Sequence, residues 1–195
     1  MPSVNKWRND TMNLPNKLTV LRILLVPVFV VLFEMQMYFF ALVVFCAASI
    51  TDALDGNIAR KRGLVTNFGK LMDPLADKVL VMSAMLCLVS SGITPSWVVI
   101  VILAREFLVT SLRLIAVGEG VVIAADRWGK LKTIAQMSWI VAALLLFSIE
   151  SIASDMIWAF VVYATMILMW ASLILSVLSG FNYCYKNRDI FLRDM

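Results

Sequence analysis

Hydrophobic positions in this chain run in long blocks and seldom alternate with polar ones. Six such blocks recur along the 195 residues, each near the roughly 20 apolar residues that a helix needs to cross a bilayer. The first covers residues 18–34, behind Pro15, with Asn16 reading as a helix-start residue. The second runs over 38–60 and the third over 70–90, after which Ser90-Ser91-Gly92-Ile93-Thr94-Pro95 breaks the chain. The fourth covers 96–117 and ends at Gly118, the fifth 130–149 and the sixth 154–182. Most blocks lack a polar face recurring every 3.6 residues, which a soluble helical core would require. The pattern predicts an all-α integral membrane protein of six transmembrane helices in one domain, residues 1–195. Residues 1–15 form a cytoplasmic or interfacial segment. Within it, residues 3–12 offer a short interfacial helix with Trp7 and Met12 on its apolar side. Residues 183–195 form a cytoplasmic tail.

Composition agrees with that reading: the chain is 62% hydrophobic and its mean hydropathy is +0.89. The charge distribution adds an orientation. The predicted loops at 35–37, 90–95 and 150–153 hold no Lys or Arg, and Arg105 alone sits near mid-span. The other sixteen of the seventeen basic residues lie in the N-terminal stretch up to Arg22, the 60–78 and 113–132 regions and the tail. With six spans these all fall on one side, which the positive-inside rule makes cytoplasmic, with both termini. The expected location is the cell membrane. The net charge of +4 then serves topology and anionic lipid headgroups, and nucleic acid is not an expected partner. The polar first eleven residues carry no secretory-signal pattern, and Met12 offers an alternative start. Cys46, Cys87 and Cys184 are scattered and read as small packing residues. The chain has no histidine, so acid–base chemistry must fall to carboxylates.

One spaced string stands out against this apolar background: Asp52-x2-Asp55-Gly56-x2-Ala59-Arg60-x8-Gly69-x3-Asp73-x3-Asp77. Asp52 and Asp55 are three apart and Asp73 and Asp77 four apart, so each pair shares a helix face. The first pair lies near the cytoplasmic end of the second span and the other near the cytoplasmic start of the third. A turn containing Lys61-Arg62-Gly63 joins them, so the pairs can converge at one depth. Carboxylates within spans are costly unless cations meet them. An all-oxygen set suits Mg²⁺ or Mn²⁺ and argues against Zn²⁺. Two such ions would clamp a pyrophosphate and stabilise a phosphoryl displacement. Gly56 and Gly69 leave space for a ligand or a second backbone, and Arg60 can reach a phosphate oxygen. The same acids could instead pair with Arg60, Lys70 and Lys78.

At every fixed position the string resembles the signature of the CDP-alcohol phosphotransferases, six-span membrane enzymes of phospholipid synthesis. That resemblance implies that Asp52, Asp55, Asp73 and Asp77 bind two divalent ions. It implies that the acids Asp52, Asp55 and Asp73, with Gly56, Arg60 and Gly69, hold the CDP group. Asn16 and Thr19 join the nucleotide contacts on the same ground, although a helix cap explains Asn16 equally well. Asp77 becomes the base that deprotonates the acceptor hydroxyl. A homodimer is also implied.

Three further stretches bear on the acceptor: Asn13-Leu14-Pro15-Asn16-Lys17-Leu18-Thr19-x2-Arg22, Ala104-Arg105-Glu106-Phe107 with Ser111-Leu112-Arg113, and Gly129-Lys130-Leu131-Lys132-Thr133. Together they resemble the bacterial branch of the family that forms phosphatidylglycerol phosphate from CDP-diacylglycerol and sn-glycerol 3-phosphate. Arg105 lies in an apolar run and must face a polar cavity or a partner. Glu106 points about 100° away from it around the helix. Arg113 lies two turns along near the same face, and Lys130 can approach from the next span. Two Arg and one Lys suit a phosphate dianion. An ion pair between Arg105 and an acid on another span, holding the bundle together, is the alternative. Lys132 and Arg127 read as headgroup anchors, and residues from 138 onward show no motif. Two rivals stand beside this reading: the same chemistry on another acceptor such as inositol phosphate, and a divalent-cation carrier built on the four acids. A carrier would be expected to place its acids nearer mid-bilayer.

Overall fold

The computed structural model describes residues 14–62, 67–118 and 127–188. Among them are six helices and no strands: α1 Leu14–Glu34, α2 Tyr38–Arg62, α3 Asn67–Ser90, α4 Ser96–Gly118, α5 Arg127–Ile149 and α6 Asp155–Lys186. Every predicted apolar block is a helix. Two of them, α5 and α6, are each long and apolar enough to cross a membrane by length and composition. The interfacial helix expected at 3–12, the end of the tail from 189, and residues 63–66 and 119–126 lie outside the described residues, as do the side chains of residues 52–71.

Two boundaries differ instructively from expectation. The first helix begins at Leu14, which puts Asn16 inside α1, where it is buried; the cap reading of Asn16 is therefore corrected. Pro15 explains the earlier start, because a proline in the first turn has the right φ and no N–H to leave unpaired. At the other end, α6 continues past 182 to Lys186, and Asn187 closes it by donating both its N–H and its Nδ2 to the Tyr183 carbonyl.

The chain falls into two compact units, residues 1–87 and 88–195. In the first, α1 packs against α2. Val26, Phe29 and Phe33 of α1 share one face, and Ala41, Phe45 and Ala48 share one face of α2; all six are buried. The Phe29 and Phe45 rings meet at 5.9 Å, tilted by 51°, a favourable aromatic geometry. The small alanines let the two backbones approach closely. The turn between them puts Gln36 at φ +59°. The Gln36 N–H donates to Phe33 and the Met37 N–H to Leu32, each at 2.9 Å, closing the end of α1.

In the second unit α6 packs against both α4 and α5. The predicted break at 90–95 is a turn with Gly92 at φ +79°, a left-handed conformation suited to glycine. The buried edge of α6 carries Thr165, Ser172, Ser176, Ser179, Gly180 and Tyr183. Small and hydroxyl-bearing residues at this spacing permit close helix packing. Its outer face, with Phe160, Tyr163, Ile167, Trp170, Ile174 and Phe181, is apolar and exposed.

Candidate active site

The first unit contributes a polar edge to an otherwise apolar helix. Asn16, Thr19 and Arg22 follow one another at three-residue steps on α1, and all three are buried. The Thr19 hydroxyl donates to Asp73 Oδ1, and Arg22 Nε donates to the Ala48 carbonyl at 3.4 Å. Asp73 and Asp77 are half-buried, one turn apart on α3. Between them sits Pro74, which has no N–H and so leaves the Lys70 carbonyl without its helical donor beside the acid pair. Asp52, Asp55, Gly56 and Arg60 lie in the last three turns of α2, and Gly69 in the first turn of α3. Their side chains are outside the described part, so the structure brings Thr19 to Asp73 and leaves the remainder of the string at the helix level. The sequence alone assigns Arg22 no role. The signal was an arginine three residues beyond Thr19 inside an apolar span.

Of the acids in the string, Asp73 and Asp77 have described side chains, and both offer oxygen ligands of the kind a hard divalent cation takes. Asp73 accepts one hydroxyl bond, which leaves most of the lone-pair sites of an ionised carboxylate open. Every acid in the string offers oxygen alone. Among the described residues no group of three or more acids, cysteines or histidines stands close enough to hold an ion.

In the second unit a charged cluster joins three helices. Arg105 Nη1 of α4 donates to Glu106 Oε1 at 2.7 Å, and Lys132 Nζ of α5 reaches the same oxygen at 2.5 Å. Arg105 Nη2 donates to Ser179 Oγ of α6 at 2.8 Å. The acid that meets Arg105 is thus its sequence neighbour, and Glu106 in turn bridges to α5. Two long side chains overcome their 100° separation around the helix. Lys132 is only 3% exposed, which corrects its reading as a headgroup anchor. Arg127, at the start of α5, is exposed. Arg113 and Lys130 are exposed as well, and among the described residues no hydrogen bond or ion pair joins either to Arg105. Lys130 and Lys132 lie two residues apart, on nearly opposite sides of α5, and Lys132 is the one that faces inward.

Of the two glycines beside Arg105, Gly180 alone makes room for its side chain. A Cβ on Gly129 would stand 4.0 Å from Arg105 Nη2, an ordinary contact. One on Gly180 would stand 2.8 Å from Arg105 Cγ, a clash. Arg105 Nε and the hydroxyls of Ser172, Ser176 and Tyr183 are buried with no partner among the described residues. The stretch from 138 onward, which showed no motif, therefore supplies Ser179 and Gly180 to this cluster.

Residues 12–178 match the family model described as CDP-alcohol phosphatidyltransferase. The CDP-diacylglycerol–glycerol-3-phosphate 3-phosphatidyltransferase of Bacillus subtilis (strain 168) is 40% identical over 190 residues, covering 90% of this chain and 95% of that protein. The protein of the same name from Rickettsia typhi (strain ATCC VR-144 / Wilmington) is 38% identical over 174 residues, covering 88% and 94%. That of Treponema pallidum (strain Nichols) is 40% identical over 150 residues, 69% of each chain. A family match over most of the length, joined by relatives aligned nearly end to end, has one meaning: the chain belongs to the CDP-alcohol phosphatidyltransferase family.

Proposed function

We propose that the chain transfers the phosphatidyl group of CDP-diacylglycerol to sn-glycerol 3-phosphate, releasing CMP and phosphatidylglycerol phosphate. The observation that carries this reading is the 40% identity, over 90% of the chain, to a Bacillus subtilis protein whose name states that reaction. Asp77 takes the proton of the acceptor's primary hydroxyl. The freed oxygen then attacks the phosphorus that bears diacylglycerol, and the bond from that phosphorus to the CMP oxygen breaks. Asn16 and Thr19 with Gly56, Arg60 and Gly69 hold the CDP group, joined by Asp52, Asp55 and Asp73. The four acids Asp52, Asp55, Asp73 and Asp77 would hold two Mg²⁺ or Mn²⁺ ions, which supply electrostatic stabilisation to the phosphoryl group when bound. Arg105, Arg113 and Lys130 hold the acceptor phosphate, and Lys132 pairs with the same Glu106 oxygen that meets Arg105.

In this reading the single domain crosses the cell membrane six times and works as a homodimer. Both termini and the active site face the cytoplasm. The one-sided distribution of basic residues and the apolar outer face of α6 support it. The deciding experiment is CMP release by purified protein given CDP-diacylglycerol and Mg²⁺ or Mn²⁺. Glycerol 3-phosphate, inositol phosphate, serine and no acceptor would be compared, and chelation should stop release until metal is restored. Release with glycerol 3-phosphate alone is the expected result. Release with a different alcohol would overturn the acceptor assignment, and silence with all of them while metal binds would favour a cation carrier.

A further inference from the structure

We infer that Ser179 and Gly180 of α6 are positioning residues for the acceptor: they seat the Arg105 guanidinium that holds the acceptor's phosphate. The inference rests on the acceptor reading above and extends it to a helix that carries none of the acids.

The geometry fixes Arg105 at both ends of its side chain. Along the stem, a Cβ on Gly180 would lie 2.8 Å from Cγ, 3.6 Å from Nε and 3.8 Å from Cδ. The stem therefore crosses α6 where only hydrogen fits. Gly180 has no backbone reason to be glycine, since Gly92 is the one glycine with positive φ among the described residues. Glycine inside a helix is otherwise unfavourable, so the close approach of Arg105 accounts for it. At the tip, Glu106 takes one Nη1 hydrogen and Ser179 takes one Nη2 hydrogen. Ser179 gives its own hydrogen to the Ser176 carbonyl at 3.0 Å, so the oxygen it turns to the guanidinium can only accept. A guanidinium has five N–H donors. After these two bonds each terminal nitrogen retains one hydrogen and Nε keeps its own, so the seated guanidinium still has donors for a phosphate.

The test is steady-state kinetics on detergent-purified full-length protein, with the Michaelis constants for glycerol 3-phosphate and for CDP-diacylglycerol measured separately. Gly180→Ala should raise KM for glycerol 3-phosphate about tenfold, the scale of one charge-assisted hydrogen bond, and leave KM for CDP-diacylglycerol within about twofold. Ser179→Ala should do the same more weakly, and Ser179→Thr, which keeps the hydroxyl, should restore the native value. In an Arg105→Lys background Gly180→Ala should add less than about twofold, because both changes act through one side chain. If Gly180→Ala moves both Michaelis constants together, or keeps its full effect without Arg105, α6 shapes the fold alone and the inference falls. Should Gly180→Ala fail to give monodisperse protein, the Ser179 pair decides by the same criteria. A native enzyme that ignores glycerol 3-phosphate but uses another phosphorylated alcohol would sink the acceptor assignment while the series, run on that alcohol, still decides the role of α6. Use of an uncharged alcohol alone would overturn both.

Discussion

Asp77 is the residue on which the proposed chemistry turns. It is half-buried on α3, one turn beyond Asp73, and no histidine exists to take its place. Asp77→Asn keeps the size and removes the base, so CMP release should fall by about 10²- to 10⁴-fold; near-normal turnover would end the assignment. The acids stand out in the sequence because charge inside apolar spans is rare and their spacing follows the helix repeat. The partners of Arg105 were not. A helical wheel separates Arg105 from Glu106, and only the reach of two long side chains brings them to 2.7 Å. The sequence favours Lys130 over Lys132 as the inward cation, but which side of α5 faces inward is a property of packing, and it is Lys132 that is buried.

At the scale of elements, every helix was legible because apolar runs of this length have few alternatives to helix in a membrane. The inner edge of α6 was not. Ser172, Ser176, Ser179 and Tyr183 resemble the packing residues of any membrane helix, and only their burial beside Arg105 gives Ser179 a task. The turn between α1 and α2 carries its own prediction. Gln36 adopts φ +59°, a region that costs a residue with a side chain roughly 1 kcal/mol and glycine almost nothing. Gln36→Gly should therefore stabilise the protein by about 1 kcal/mol, read as a higher denaturation midpoint in detergent. An unchanged or lower midpoint would mean that the Gln36 side chain offsets the strain.

For the whole molecule, the proposed topology rests on the charge distribution and is open to direct measurement. Single cysteines at Ser91 and Ser151, in a chain whose three native cysteines are replaced by alanine, should react with a membrane-impermeant maleimide on intact cells. One at Lys186 should react only after permeabilisation. Labelling in the opposite sense would invert the orientation, and labelling of Ser91 and Lys186 from the same side would remove the six-span arrangement. The number of helices could be argued from sequence because hydropathy acts locally, and the positive-inside rule gives the orientation that this labelling would test. Which helices share a unit could not, because that depends on contacts between residues far apart in the chain.

The buried edge of α1 has a consequence for how the protein is made. Arg22 finds the Ala48 carbonyl 26 residues later, and Thr19 finds Asp73 54 residues later. In the proposed six-span arrangement, with insertion from the N-terminus, α1 would enter the bilayer with its polar edge uncovered and wait for α2 to answer Arg22. It waits again for α3 to answer Thr19. Until the third helix arrives, α1 carries in lipid polar groups that are costly there unless satisfied, which favours holding it at the insertion machinery over early release. The hydroxyl that steadies an acid of the site thus also marks the moment in synthesis when the first three helices can close on one another.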